Sequence, residues 1–207
     1  QELYAEVLLD APDALWNLDM LEDLRVKPDD LDYEDLKRIV ISIDPAVTSN
    51  ANSDLTGIIV TAKGKDGHGY VLEDLSMSGK PDEWAKVAIQ AYYKWEADLI
   101  VAEVNNGGDL VESVLRVHDN YVNYKSVRAT RGKDVRAEPV AALYEQKKIH
   151  HVGVFNELED EMCKWSPANS AKSPDRMDAL VWGMHELFVQ KQMKSLIQMT
   201  QSRNVHV

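Results

Sequence analysis

The sequence predicts an α/β domain built on a mixed five-stranded sheet, in which three antiparallel strands are followed by parallel crossovers and helices cover the flanks. Two observations support this fold class. Three β-branched runs follow one another with short, turn-like connections, as in an antiparallel meander. Further apolar runs then alternate with segments of helical period, as in right-handed βαβ units. The 207 residues suffice for one such domain with a short extension.

The composition is that of an ordinary globular protein, with 44% hydrophobic and 28% charged residues. The single cysteine, Cys163, cannot form a disulfide within the chain, and one thiol is too few for a zinc–cysteine cluster. No apolar run approaches the ~20 residues of a membrane span. We therefore expect a protein of a reducing compartment with no membrane partner.

The net charge of −12 argues at first against a nucleic-acid partner, but its distribution weakens that objection. Residues 1–40 alone carry a net charge of −8. Residues 125–150 hold seven basic against three acidic side chains, a net charge of +4. An acidic chain with one basic segment can still bind phosphates locally.

The first 37 residues are predicted to form an acidic appendage. Two turn-like breaks, at residues 11–13 and 27–30, divide it, and short helices are expected at residues 2–9 and 18–24. The segment is too short to bury a core of its own.

Three strands are predicted next. The β-branched run at residues 39–43 ends at Asp44 and is typical of a buried strand. A polar loop leads to the second strand at residues 57–62, and a glycine-containing turn leads to the third at residues 70–75. The short connections make the three strands antiparallel.

After the third strand, the spacing of the apolar residues changes from that of a strand to that of a helix. An amphipathic helix begins near Pro81, and its apolar positions are Trp84, Val87, Ala88, Ala91, Tyr92 and Trp95. Residues 99–103 form the fourth strand and residues 124–129 the fifth, with a helix between them that ends near His118.

Three more helices are predicted in the last third of the chain. One ends near Gln146, and Pro139 leaves its start open between Asp134 and Glu138. A short helix covers residues 157–164, and the last runs from about residue 174 to 192.

Carboxylates stand where buried strands end. Asp44 ends the first strand, Glu103 ends the fourth, and Asp178 lies near the start of the last helix with Asp175 one turn earlier. Strand ends of such sheets are where ligand sites collect, and a buried carboxylate needs a partner such as a divalent cation. Three of these residues could also have a structural role: Asp44 as a cap or turn residue, Glu103 as the partner of an arginine, and Asp175 as a first-turn residue favoured by the helix dipole. The residues alone therefore leave a metal site and a structural role both open.

At these positions the sequence resembles the nuclease domain of large terminase subunits of tailed bacteriophages. ISIDPA (residues 41–46) and SDLTG (53–57) resemble its opening motif, and VAEVNNGG (101–108) its second. SPDRMDALVW (173–182) resembles the third, and RGKDVRAEPV (131–140) is also similar to the family. The motifs follow the family's order and cover roughly residues 38–190.

The resemblance implies a ribonuclease H-like fold and a metal site of Asp, Glu and Asp. By motif match the catalytic ligands are Asp44, Glu103 and Asp178, Asp54 is an auxiliary ligand, and Asp175 competes for the third position. The implied cofactors are Mg²⁺ or Mn²⁺, with two ions per site. The implied reaction is metal-dependent endonucleolytic cleavage of duplex DNA without strong sequence preference during viral genome packaging.

The resemblance also implies a domain organisation and partners. Residues 38–193 would form the nuclease domain, residues 1–37 the end of a preceding motor domain and its linker, and residues 194–207 a tail. The chain lacks the phosphate loop of that ATPase motor, so we expect a fragment that hydrolyses no ATP. Double-stranded DNA, the motor domain, the portal and the small terminase subunit are the implied partners, in the host cell cytoplasm.

The basic segment supplies the candidate DNA contacts. Arg131, Lys133 and Arg136 lie at or just before the start of a predicted helix, whose N-terminal amides add to their attraction for phosphate. No aromatic or amide cluster accompanies them, so we expect no base reading. Lys147 and Lys148 are interpreted as a solvated helix face.

Three other functions remain open at this point. A junction resolvase or transposase-like nuclease has the same fold and chemistry and would prefer branched DNA. An actin-like ATP-binding domain also begins with a strand and an Asp, but it would need a second glycine-rich phosphate loop, which this sequence lacks. In a non-catalytic interaction module, the carboxylates would only be caps.

Overall fold

The fold is a mixed sheet with helices on both faces, seen in a computed structural model that describes residues 13–45, 55–104, 109–130, 132–168 and 174–189. The first three long strands are β1 (Leu36–Asp44), β2 (Leu55–Gly64) and β3 (Gly69–Asp74), and they pair antiparallel as predicted. Asp44, the last residue of β1, lies opposite Gly57 of β2. A short strand, β4 (Met77–Ser78), adds to the start of β2.

The parallel half of the sheet also follows the prediction. Helix α2 (Pro81–Lys94) leads to β5 (Leu99–Glu103) beside β1, and α3 (Asp109–His118) leads to β6 (Tyr124–Val127) beside β5. In the parallel register Ile43 is opposite Ala102. The next residue of each strand is a carboxylate, so Asp44 and Glu103 end neighbouring strands at the same edge of the sheet.

The described sheet has seven strands, so the predicted number of five was wrong. The strand order is β6-β5-β1-β2-β3-β7, with β4 paired to β2 alone. Strand β7 (Ile149–His151) pairs parallel with β3. Strands of two and three residues are too short for an apolar period to show in the sequence, and only their partners identify them.

The helices divide between the two faces. Helices α2 and α3 cover one face of the sheet, with Ile41, Ile43 and Ile58 pointing toward that side. The opposite face carries three other helices with their apolar residues against Val40 and Ile59: α4 (Lys133–Glu145), α5 (Asn156–Lys164) and α6 (Asp175–Met184). This alternation along β1 and β2 is the period of two expected for strands that are covered on both sides.

Two helix boundaries depend on more than the apolar period. Helix α4 begins at Lys133, one residue before Asp134, the earlier of the two starts that the sequence left open, and it includes Pro139 in its interior. Helix α6 ends as an α-helix at Met184 and continues as one π-helical turn, His185–Val189. The predicted continuation to residue 192 lies outside the described residues.

The N-terminal segment packs on the same face as α4 and α5. It contains α1 (Leu18–Asp23) near its predicted position, while the helix expected at residues 2–9 lies outside the described residues. Trp16 and Leu21 are fully buried in one core with residues of α4, α5 and α6. Residues 13–35 thus share the core of the domain, and their assignment to a preceding motor domain remains a prediction. None of the described helices has the length and hydropathy to cross a membrane.

Candidate active site at the ends of β1 and β5

Three acidic side chains come together where the sheet meets α6. Asp44 ends β1, Glu103 ends β5, and Asp178 lies in the first turn of α6, which packs across β1 and β2. Glu103 is 7% exposed and Asp178 only 2%, so both carboxylates are withdrawn from water. Burying carboxylates is costly unless positive charge or hydrogen-bond donors compensate. The structure therefore brings together the three residues that the motif match selected.

The proximity of these groups changes their protonation. Burial raises the pKa of Asp44 well above its usual range, and the negative charges of Asp178 and Glu103 raise it further. Burial also raises the pKa of Asp178, although Lys133 and Arg136 partly offset that rise. The site thus concentrates negative charge, and added positive charge stabilises it.

Two basic side chains from α4 supply part of that charge. The Lys133 ammonium forms an ion pair with Oδ2 of Asp178. One terminal nitrogen of the Arg136 guanidinium, Nη2, lies 3.6 Å from Oδ1 of Asp178 and 3.7 Å from Oε2 of Glu103. The sequence predicted both residues as phosphate contacts near a helix start. They do lie in the first turn of α4, but they face the carboxylates, and Arg136 is only 7% exposed.

Sequence reasoning missed a hydrogen-bond donor in this site, Trp182. Its indole Nε1–H donates to Oε2 of Glu103 at 2.6 Å, and both residues are buried. The guanidinium carbon of Arg136 lies 4.7 Å from the centre of the Trp182 rings. The sequence carried one signal for this contact: Trp182 follows Asp178 by four residues and therefore lies on the same side of the helix.

Asp175 lies at the edge of the site. It raises the pKa of Asp44, but less than Asp178, Glu103 and burial do. It also faces Glu161 of α5, whose pKa is raised to about 7, first by burial and then by Asp175. Glu161 accepts a hydrogen bond from the backbone N–H of Met177 at 2.8 Å and so caps the first turn of α6. The charge of Asp175 therefore acts both on Asp44 in the candidate site and on Glu161 in this cap.

Three predicted features of the site lie outside the described residues: Asp54, Arg131 and the glycine-containing loop at residues 105–108. Each joins an element that borders the site: Asp54 precedes β2, residues 105–108 follow β5, and Arg131 precedes α4.

The donor chemistry of the site fits a hard divalent cation. Carboxylate oxygens are the ligands that Mg²⁺ and Mn²⁺ prefer, and the charges of Asp178 and Glu103 already raise the pKa of Asp44. Lys133 and Arg136 contact these carboxylates and show that the site accepts positive charge. Among the described residues, no three acidic, histidine or cysteine side chains stand in the arrangement of a preformed metal site.

Comparison with known proteins agrees with this architecture. Residues 41–187 match the family described as the terminase RNaseH-like domain. The crystal structure of the large terminase nuclease from thermophilic phage G20c with bound magnesium is similar, with a TM-score of 0.60, 17% identity and coverage of 84% of this chain and 97% of that chain. The P22 large terminase nuclease domain superposes with a TM-score of 0.60, at 12% identity, over 87% of this chain and 92% of that one.

A longer protein has the same fold in one part. The large terminase of thermophilic bacteriophage D6E has a TM-score of 0.61 at 13% identity, and the match covers 83% of this chain but 43% of that protein. At such identities the likeness establishes the fold, which is the ribonuclease H-like fold expected from the motifs. No curated protein sequence matches the chain. The family match spans most of the chain and includes β1, β5 and α6, and the chain therefore belongs to the terminase family of ribonuclease H-like domains.

Proposed function

We propose that this domain is a divalent-metal-dependent endonuclease that cleaves duplex DNA during viral genome packaging. The observation that carries the proposal is the convergence of Asp44, Glu103 and Asp178 from two strand ends and one helix start, with a raised pKa at Asp44 and Asp178. The family match supports the packaging context. Structures of the G20c large terminase nuclease with bound magnesium, zinc or cobalt support a divalent-metal cofactor.

Asp44, Glu103 and Asp178 would hold two Mg²⁺ or Mn²⁺ ions, with Asp54 and Asp175 as further candidate ligands. When bound, such ions lower the pKa of a water and stabilise the departing oxygen of a phosphodiester. The chain's own contribution is to hold the carboxylates in place, to keep Glu103 and Asp178 out of bulk water, and to balance their charge with Arg136.

The first turn of α4 is the proposed contact for the DNA backbone. Lys133 is about one-third exposed, so its ammonium can reach both Asp178 and an incoming phosphate. Arg136 is buried and would act on a phosphate only inside the site, and Arg131 lies outside the described residues. Basic residues that contact phosphates bind without sequence preference. Duplex DNA is thus the proposed substrate, and a motor domain, the portal and the small terminase subunit are the proposed partners in the host cytoplasm.

Supercoiled plasmid incubated with the chain tests the proposal. We expect nicking and linearisation with Mg²⁺ or Mn²⁺, none with EDTA, and no dominant cut site. Asp44→Asn should lower the rate by at least ~100-fold, because a lost ligand removes transition-state charge stabilisation. Asp82→Asn, on the exposed surface of α2, should keep the wild-type rate and serves as the control.

A four-way DNA junction in the same assay separates the related functions. Comparable or slower cleavage of the junction supports a packaging nuclease, whereas a strong preference for the junction would point to a resolvase. The proposal fails if wild-type protein leaves plasmid intact with either metal.

A further inference from the structure

Trp182 makes a contact that the motif resemblance does not account for. Its indole N–H donates to Oε2 of Glu103 at 2.6 Å, inside the candidate site. We propose that Trp182 is a positioning residue for the cation site: it holds the Glu103 carboxylate in one orientation, and Arg136, stacked on the indole, stabilises the contact. The inference rests on the proposed function, because it assigns Glu103 to a bound cation.

The geometry of this hydrogen bond restricts the orientation of the Glu103 carboxylate. An indole has one polar hydrogen and accepts no hydrogen bond, so its N–H points in a single direction. Trp182 is 6% exposed and Glu103 7% exposed, so little water competes for the bond. Hydrogen bonds from a neutral donor to a buried carboxylate are strong. With Oε2 held in this way, rotation of the carboxylate is restricted, and Oε1 can approach a cation from one direction only.

Trp182 differs from the other partners of the cluster in its charge. Lys133 and Arg136 are cations, so they hold the carboxylates but also offset the negative charge that attracts a metal ion. The indole is neutral, so it orients Glu103 without adding positive charge. Partners of this kind outside the ligand shell typically change metal affinity by about 10–100-fold.

The position of Trp182 on α6 places it near two of the proposed ligands, Asp178 and Glu103. Asp178 and Trp182 are one helical turn apart, and Nη2 of Arg136 lies between the carboxylates of Asp178 and Glu103. The guanidinium carbon of Arg136 is 4.7 Å from the centre of the indole rings, within the range of a cation–π contact. One helix therefore supplies a ligand and the group that orients a second ligand on β5.

The competing explanation is that Trp182 only fills the core. Its rings are part of the buried cluster beneath α4 and α6. In that case a substitution that keeps the volume would leave metal affinity unchanged, even if the hydrogen bond is lost. A test must therefore remove the N–H while it preserves the shape.

The chain provides a matched control in Trp95. Its indole N–H donates to Oε2 of Glu73 at 2.6 Å, and the Lys94 ammonium lies 5.3 Å from the centre of its rings. This group repeats the chemistry of Trp182, Glu103 and Arg136 at the end of α2, away from the three carboxylates. Loss of this second hydrogen bond should not affect a cation held by Glu103.

The experiment measures Mn²⁺ binding by isothermal titration calorimetry, without DNA. Wild type, Trp182→Phe, Trp95→Phe and a variant with benzothienylalanine at position 182 are compared. Benzothienylalanine keeps the two fused rings and replaces the N–H with sulfur. It therefore removes the hydrogen bond without a large change in volume, and the test does not depend on whether Trp182→Phe folds normally. We expect both changes at position 182 to raise the Kd for Mn²⁺ about 10-fold or more, and Trp95→Phe to leave it within about twofold of wild type.

The outcomes separate this inference from the proposed function. Saturable Mn²⁺ binding by wild type, weakened only by the two changes at position 182, supports a positioning role. Wild-type affinity in the benzothienylalanine variant overturns that role and leaves the proposed function intact. An equal loss in Trp95→Phe also overturns it, since the effect would then be general. No saturable binding by wild type overturns the proposed function and this inference together.

Discussion

Asp178 and Asp175 lie one turn apart at the start of α6, yet their surroundings differ. Asp178 is 2% exposed and contacts both Lys133 and Arg136. Asp175 is partly exposed, and its charge acts on Glu161 as well as on Asp44. At the scale of single residues, Asp178 is therefore the better candidate for the third ligand. The helical period could not separate the two residues because both face the same side of the helix.

A pair of substitutions tests this assignment. We expect Asp178→Asn to reduce plasmid cleavage by at least ~100-fold, because it removes a charged ligand from the site. Asp175→Asn should retain most of the wild-type rate. Initial rates with Mn²⁺ give the comparison, and the reverse order of the two variants would place the ligand at Asp175.

At the scale of elements, the position of α6 depends on how closely it approaches the sheet. A Cβ atom on Gly57 of β2 would lie 2.0 Å from the backbone oxygen of Asp175. A Cβ atom on Gly183 would lie 2.5 Å from Oγ1 of Thr61. Both glycines thus permit a contact that no other residue type would allow without movement. Since Gly57 also lies opposite Asp44, this contact brings the start of α6 close to the end of β1.

Gly57→Ala is expected to destabilise the domain by at least about 2 kcal/mol, since the new methyl group meets backbone that cannot rotate away. It should also weaken Mn²⁺ binding, because α6 must move away from the sheet. Urea unfolding and calorimetry provide the two measurements.

Gly79→Ala is the control for this prediction. A methyl group there would meet mainly the flexible side chains of Met77 and Glu83, so we expect a change below about 1 kcal/mol. A Gly57→Ala variant as stable as Gly79→Ala would mean that α6 does not depend on this close contact.

At the scale of the whole molecule, a buried polar network joins the N-terminal segment to the nuclease fold. Two nitrogens of the Arg25 guanidinium donate to the two carboxylate oxygens of Glu159 on α5, at 2.8 and 3.0 Å. Oε1 of Glu159 also lies 2.8 Å from Nδ1 of His151 on β7, whose Nε2 lies 2.8 Å from the Tyr144 hydroxyl. Burial alone would raise the pKa of Glu159, but the hydrogen bonds from His151 and Arg25 outweigh it and lower the pKa to about 2.

We expect Arg25→Ala to destabilise the domain by about 3 kcal/mol at pH 7, because it leaves a buried carboxylate without its cation. Lys65→Ala is the matched control. It removes an exposed ion pair with Asp35, and its cost should stay below about 1 kcal/mol. Urea unfolding of both variants checks the comparison, and an Arg25→Ala variant no less stable than Lys65→Ala would contradict it.

The effect of Arg25→Ala should also depend on pH. The folded-state pKa of Glu159 is below its ordinary value of 4.5, so the stabilisation is fully present above about pH 4.5 and is lost as the pH falls toward 2. The difference in unfolding free energy between wild type and Arg25→Ala should therefore shrink across that range. A constant difference from pH 7 to pH 3 would mean that Glu159 is not the partner responsible.

The sequence by itself determined the main strands and helices, and it identified three carboxylates as candidate site residues. The runs that became β1, β2, β3 and β5 carry a local apolar pattern, and the period of 3.6 placed α2 and α6 near their observed starts. Asp44 and Glu103 were recognisable because each directly follows a buried run, and the motif match added Asp178. These features are encoded within short windows of the chain, where periodicity and turn residues are sufficient evidence.

Only the tertiary structure decided how these parts meet. It added β7 at the edge of β3, brought Trp16 into the core shared with α4 and α5, and turned Lys133 and Arg136 toward the carboxylates. It also joined Trp182 to Glu103, two residues 79 positions apart in the chain. The physical reason is that a hydrogen bond or ion pair between distant residues leaves no local period in the sequence. Such contacts form only when the helices dock on the sheet and exclude water from the groups between them.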